Sequence, residues 1–238
     1  MKNKTELVSN QNTPFIISID GNIGSGKTTL INKLKEKYES NKNIIFLKEP
    51  VSEWEKIKDI DGKTMLQKFY GDQIMYSFSF QMMAYISRLS IMRNAVKLNP
   101  NAIFITERSL STDKYIFAQM LYDQGKIENV NYQIYLNWFN EFANDFPINS
   151  IIWVNTEPEI CHQRIKLRAR PGEEIISIDY LIDCNFYHHG FIHEMNTNTL
   201  VLDGNADIFQ DSTVMDNWIR RIDKELINCD KTDINLLI

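Results

Sequence analysis

Short apolar blocks alternate along this chain with longer segments of helical periodicity. The blocks are 15–19, 44–47, 103–105, 151–154 and 200–202. Each is an almost unbroken apolar run, the pattern of a strand buried on both faces of a parallel sheet. Between them, 28–40, 74–98, 115–124, 132–146, 157–169, 179–195 and 213–228 read as helices. Within 74–98, Phe78, Met82, Tyr85, Ile86 and Leu89 recur at helical spacing. The rhythm predicts an α/β fold, a five-stranded parallel sheet flanked by helices. No internal repeat or domain-scale linker interrupts it. The expected organisation is one domain over 14–228, a disordered tail at 1–13 and a C-terminal tail at 229–238.

The blocks end on polar residues: Asp20, Glu49, Glu107 with Arg108, Asn155 and Asp203. Ligands of open parallel sheets bind outside the carboxyl ends of the strands. One polar end marks only where a strand stops. Glu49 and Glu107 acquire meaning from the motif that follows the first block.

That motif is Gly21-Asn22-Ile23-Gly24-Ser25-Gly26-Lys27-Thr28-Thr29, a G-x-x-x-x-G-K-[ST] run between a strand and a helix. Its glycines let backbone N–H groups turn inward around phosphate oxygens, and the helix N-terminus adds partial positive charge. Lys27 is placed to reach the terminal phosphates. The Thr28 hydroxyl suits Mg²⁺, a cation that selects oxygen ligands. Gly62-Lys63-Thr64 is no second copy, because position 57 is Ile and no buried strand precedes it. A guanine-reading N-K-x-D is absent from the sequence, which argues against a GTPase.

Composition narrows the partners. The 238 residues carry 26 Lys+Arg against 31 Asp+Glu, a net charge of −5. That balance disfavours a protein gripping nucleic acid along its length. No apolar run approaches the ~20 residues that span a bilayer. Cys161, Cys184 and Cys229 are too scattered for a disulfide framework and read as free thiols in a reducing, cytoplasmic setting. Cys184, His188, His189 and His193 fall at helical spacings, but the pattern fixes no complete zinc ligand set.

The remaining polar signals suit an acceptor facing the phosphates. Glu49, held extended by Pro50, is placed to take a hydroxyl proton. Trp54 offers a flat wall for a base or sugar. Gln81, Ala84 and Arg88 share a face of the long apolar helix, where an amide and a guanidinium need partners. Asp113 is a candidate partner for Arg88. Glu107 suits a metal or its waters, and Arg108 suits charge on a transferring phosphoryl group. Arg164, Lys166, Arg168 and Arg170, followed by Pro171-Gly172, form a basic stretch. In a phosphate-transfer enzyme such a stretch reads as a lid, here about 164–176.

In combination these motifs resemble the deoxyribonucleoside kinases of the deoxycytidine, deoxyguanosine and mitochondrial thymidine kinase group. They are GNIGSGKTT at 21–29, EPVSEW at 49–54, YSFSFQMMAYISRL at 76–89, ERSLSTDKYIFA at 107–118 and RIKLRARPGEE at 164–174. The resemblance implies a P-loop kinase fold and transfer of the γ-phosphate of ATP or another triphosphate, with Mg²⁺, to a deoxynucleoside 5′-hydroxyl. It implies Glu49 as base, with Arg108 and Lys27 on the reacting phosphates and Thr28 and Glu107 at the metal. It puts Tyr70 and Glu173 on the sugar 3′-hydroxyl, with Glu174 as substitute, and Gln81 on the base. It puts Arg164, Arg168 and Arg170 over the phosphates, and a 204–209 loop including Asp207 and Ile208 against the donor base. The small Ala84 with the Arg88–Asp113 pair is similar to the deoxycytidine and deoxyguanosine type. That implies deoxycytidine or a purine deoxynucleoside over thymidine. A homodimer is implied too. The sequence departs from the family at Pro171-Gly172 and at Phe191, where a tryptophan is common.

Two other classes share the phosphate loop. A thymidylate-kinase-like monophosphate kinase needs basic residues for its acceptor phosphate, where this chain offers Glu49 and Glu173. A silent nucleotide-binding module needs no base at all.

Overall fold

The computed structural model describes residues 13–208 and 211–233. Most of the expected 1–13 tail, the Phe209 end of the 204–209 loop and residues 234–238 lie outside the described residues. All five apolar blocks are strands: β1 (Phe15–Asp20), β2 (Ile44–Leu47), β3 (Ile103–Glu107), β4 (Ser150–Asn155) and β5 (Asn198–Asp203). They form one parallel sheet in the order β2-β3-β1-β4-β5. The chain leaves β1 for β2 and β3 on one side and later fills β4 and β5 on the other. The crevice at the carboxyl end of β1 is therefore the switch point of the sheet, where such folds bind ligands.

Burial explains the strand sequences and corrects one expectation. The central strands are covered on both faces, as β1 and β3 show. The edge strands are not. β5 buries Leu200 and Leu202 but leaves Val201 exposed, and β2 buries only Ile44 fully. Alternate residues of β1 serve different layers. Ile17 and Ile19 pack with Leu30, Ile31 and Leu34 of α1 (Lys27–Lys37) and Trp218 and Ile222 of α10 (Ser212–Asp233). Ile16 packs with Met92 and Phe104 on the opposite face. The last helix continues to Asp233, past the boundary expected at Asn228.

Two short helices follow β2: α2 (Val51–Trp54) and α3 (Met65–Gly71). The sequence reading missed both, including the longer α3. Its start is marked by Thr64 and Gln67, whose side chains and backbone amides cap each other reciprocally. The long helix is α4 (Gln73–Leu98). Its buried face is Ser77, Phe80, Gln81, Ala84, Tyr85, Arg88, Leu89 and Met92. Ile86, counted in the expected apolar stripe, is exposed, because polar Gln81 and Arg88 hold the inward positions instead.

The segment expected as a helix from Tyr115 begins earlier. Ser109 and Thr112 cap α5 (Leu110–Thr112), a π-helical stretch covers Asp113–Ala118, and α6 (Gln119–Asp123) follows. Such π segments often accompany functional sites. The remaining helices are α7 (Asn129–Phe142), α8 (Pro158–Arg168) and α9 (Ile178–Glu194). Among the described residues, no helix is long and apolar enough to cross a membrane. The Cys184–His193 set does not converge. His188 bonds the Cys184 backbone carbonyl and His189 packs on Trp153. No group of three or more His, Cys, Asp or Glu suited to a metal occurs among the described residues.

Candidate active site

The phosphate loop is shaped by close approach. β1 ends at buried Asp20, whose carboxylate accepts from Ser18 and Thr112. The chain then turns at Gly21, where φ is 146° and a Cβ would stand 2.5 Å from the Val154 carbonyl oxygen. Gly24, at φ 81°, would set a Cβ 2.6 Å from the Cys161 carbonyl oxygen. No side chain fits either place. α1 opens immediately after Gly26, so the loop N–H groups and the helix N-terminus converge on one cradle.

Lys27 Nζ donates to the carbonyls of Gly21 at 3.0 Å and Asn22 at 2.7 Å. Burial, reinforced by the Arg108 guanidinium, pushes its ammonium down to about 7 against the partial support of Glu107 and Glu49. Thr28 Oγ1 donates to Glu107 Oε1 at 2.6 Å. These two oxygen-bearing side chains, expected at a metal, stand together beside the cradle. An all-oxygen pair is the donor chemistry Mg²⁺ takes.

Facing the cradle, Glu49 Oε1 accepts from Arg108 Nη1 at 2.7 Å and Arg88 Nη2 at 3.2 Å. Burial alone would raise this carboxyl. Arg108, Arg88 and Lys27 outweigh burial and hold it at about 2. Arg108 has φ 62°, a left-handed conformation that costs a non-glycine residue energy and recurs at functional sites. It also donates to the Gly21 carbonyl at 3.4 Å and lies over the Phe117 ring.

Arg88 spends its guanidinium on protein. Nε donates to Asp113 Oδ2 at 2.8 Å, Nη1 to the Glu107 carbonyl at 2.5 Å and Nη2 to Glu49. Burial pushes the Asp113 carboxyl up, with Arg88 opposing it.

A cavity of about 640 Å³ joins these parts. Of the expected site residues, the loop from Ile23 to Thr29, Glu49, Trp54, Tyr70, Gln81, Ala84, Glu107, Arg108, Asp113, Arg164, Arg168, Arg170, Glu173, Asp207 and Ile208 line it. Gly21, Asn22 and Arg88 do not; they stand behind the wall and brace it. Asn22 ties the loop to α9 through the Leu181 carbonyl at 2.8 Å. Trp54 is fixed by Ser87 Oγ at 2.9 Å and meets Phe80 edge-on.

The basic stretch divides into two parts. Arg164 sits on α8 and donates to the carbonyls of Gly204 at 2.8 Å, Ala206 at 3.2 Å and Ser25 at 3.4 Å. It is a tie between two loops, not a free end of a lid. Arg168 and Arg170 both donate to buried Glu173. Glu174 instead caps the Gly172 amide at 2.6 Å. The turn begins at Ala169, which ends α8 in a left-handed conformation.

The sequence reading missed Lys48, Phe80, Phe117, Tyr180 and Trp218, all on the cavity wall. The apolar character of the four aromatic residues carried no chemical signal. Lys48 had one, as a cation adjacent to Glu49 at a strand end.

A cradle built for phosphates and an oriented carboxylate share one cavity, so fold and site define a phosphate-transferring enzyme of the P-loop class. Comparison with known proteins names the branch. Residues 17–228 match the deoxynucleoside kinase family. A probable deoxycytidine kinase of fowlpox virus is 36% identical over 82% of this chain and 81% of its own. Human deoxycytidine kinase is 31% identical over 84% and 81%. Human mitochondrial thymidine kinase 2 is 30% identical over 74% and 64%. The chain belongs to the deoxynucleoside kinase family, which selects this activity over the monophosphate-kinase and silent-module readings.

Proposed function

We propose that this kinase transfers the γ-phosphate of ATP to the 5′-hydroxyl of deoxycytidine or a purine deoxynucleoside in preference to thymidine. One observation carries the reading. The ionised Glu49 carboxylate is aimed by two guanidiniums into the cavity that also holds the phosphate loop. The acceptor sugar lies between Glu49 and the Tyr70–Glu173 pair, and its base against Trp54, Gln81 and Asp113. The 5′-oxygen attacks the γ-phosphorus in line, the bond to the β–γ bridging oxygen breaks, and the hydroxyl proton passes to Glu49. The products are the deoxynucleoside 5′-monophosphate and ADP. Lys27 and Arg108 meet the negative charge spread over the equatorial oxygens. Thr28 and Glu107 would hold Mg²⁺, which when bound neutralises charge on the β- and γ-phosphates. Arg168 and Arg170 close the phosphate side, and Asp207 and Ile208 face the donor base.

Substrate choice rests on Asp113, Ala84 and the Arg88 behind them. The bulk of that pair crowds the position a thymine methyl would take. Exposed apolar residues on neighbouring helices, Ile86 on α4 and Ile134 and Trp138 on α7, support a homodimer. Unpaired, buried Cys161 and Cys184 support a reducing, cytoplasmic location.

The test is transfer from ATP–Mg²⁺ to each of the four deoxynucleosides and to dTMP and dCMP. Deoxycytidine or purine turnover ahead of thymidine is expected. Turnover of a monophosphate alone would sink the acceptor assignment. Arg108→Ala should cost on the order of 10³-fold in turnover, and a loss below about tenfold would remove Arg108 from the chemistry.

A further inference from the structure

We infer that His188 is a positioning residue of the transfer site, acting from α9 through the Phe117 ring. The inference rests on the kinase reading above. His188 is 1% exposed, and none of the roles assigned so far uses it.

One path leads from its ring to Arg108, a residue expected on the phosphates. It runs through Phe117. The imidazole and phenyl rings meet at 88°, with centroids 6.2 Å apart. The guanidinium carbon of Arg108 lies 4.9 Å from the centroid of the same phenyl ring. An aromatic face attracts a cation, so the orientation of Phe117 sets where Arg108 rests. His188 is the polar ring that holds Phe117 in that orientation.

The ring's own bonding fits placement more than packing. Nδ1 lies 2.7 Å from the Cys184 carbonyl, one helical turn back. A carbonyl only accepts, so Nδ1 carries the ring proton. Nε2 is buried without a hydrogen-bond partner among the described residues. Burial, with Arg108 and Lys27 nearby, keeps the imidazole neutral. The ring therefore enters a crowded cationic cluster without adding charge to it. A phenylalanine or leucine would fill the same volume without burying an unpartnered nitrogen. α9 also grips the phosphate loop, through Asn22 and the Leu181 carbonyl. The helix sets the register of the phosphate loop, and His188 extends that control to Arg108.

The test compares wild type, His188→Phe, Phe117→Leu and the double variant. The readouts are kcat, KM for both substrates, acceptor affinity by calorimetry, ATP affinity by displacement of a fluorescent analogue, and Tm. His188→Phe is expected to keep acceptor affinity within about threefold while kcat falls about tenfold and ATP binds about fivefold more weakly. The double variant should lose no more than the worse single one, because both changes cut one path. Losses that multiply would overturn the inference. So would a kcat within about twofold of wild type, or a fall in kcat matched by equal losses in acceptor affinity and Tm. If His188→Phe does not fold, His188→Gln carries the same comparison. A wild type that binds ATP yet phosphorylates nothing sinks the kinase reading, and ATP affinity alone then decides the role of His188.

Discussion

Arg108 donates to Glu49 at 2.7 Å, on the same carboxylate oxygen that Arg88 reaches at 3.2 Å. This pairing orients the carboxylate and weakens it as a base. A carboxyl held at about 2 is ionised at every working pH, and in the proposed transfer it takes a proton only as the hydroxyl becomes acidic during attack. Glu49→Gln should therefore lower kcat by about 10²–10⁴-fold with a much smaller change in acceptor KM. In wild type, no acid limb of the rate profile above pH ~4 should belong to Glu49. The linkage has a definite sign. The folded value lies below the ordinary 4.5, so this group's contribution to stability is present above 4.5 and is lost as pH falls toward about 2. Acid denaturation of Glu49→Gln against wild type checks it.

Lys27 is shifted in the same direction, but here the shift marks a penalty on the charged form rather than a gain. Its folded value of about 7 lies below the ordinary 10.5. Burying the ammonium is a penalty fully present below 7, and its contribution to stability improves as pH rises from about 7 to 10.5. Activity moves the other way, because a neutral amine cannot meet a phosphate. In wild type, kcat/KM for ATP should fall by about tenfold per pH unit above pH ~7, since that ratio reports the free enzyme. Lys27→Arg, charged throughout, should flatten this limb whatever its absolute rate. A limb unchanged in Lys27→Arg assigns the titration to another group.

The reach of the sequence follows from how each feature encodes itself. Buried parallel strands and a glycine-rich phosphate loop impose composition directly, so 21–29 and an apolar block in each of β1 to β5 are readable, though the polar ends of β1, β3, β4 and β5 extend past the blocks. Edge strands β2 and β5 look like central ones, because a run of three or four apolar residues does not say which face is covered. α3 was missed because its apolar positions, Leu66 and Phe69, are too few for a period, although Thr64 and Gln67 mark its cap. The types of the site residues were legible, but their partners were not. Arg88 and Arg164 are arginines in the expected places, yet both spend their donors on protein groups far away in sequence. Such long-range bonds leave no local pattern.

Arg164 leads to a separable effect on the donor. It ties the Ser25 carbonyl to those of Gly204 and Ala206, and so joins the phosphate loop to the loop that carries Asp207 and Ile208. Arg164→Gln should raise KM for ATP by about tenfold while leaving acceptor KM within about twofold. An equal change in both would show that the tie stabilises the whole domain and not the donor side.

The Arg88–Asp113 pair makes a prediction that separates stability from specificity. Both side chains are buried, and their bond is 2.8 Å long. Asp113→Ala strips Arg88 of its nearer carboxylate and leaves it sharing Glu49 with Arg108, a loss of up to about 3–5 kcal/mol by the usual cost of breaking a buried pair. Arg88→Met with Asp113→Ala removes both charges and should be less destabilised than Asp113→Ala alone, because the apolar replacement needs no partner. Denaturant unfolding of the two variants decides this, and a double variant weaker than the single one would contradict it. Specificity should shift in the same protein. On the proposed exclusion of thymidine by this pair, removing its bulk should raise the ratio of kcat/KM for thymidine to that for deoxycytidine by about tenfold or more. Glu49 loses one of its two guanidiniums in this variant but keeps Arg108. Turnover should therefore survive, and a ratio that stays fixed while both substrates slow equally would show that the pair only supports Glu49.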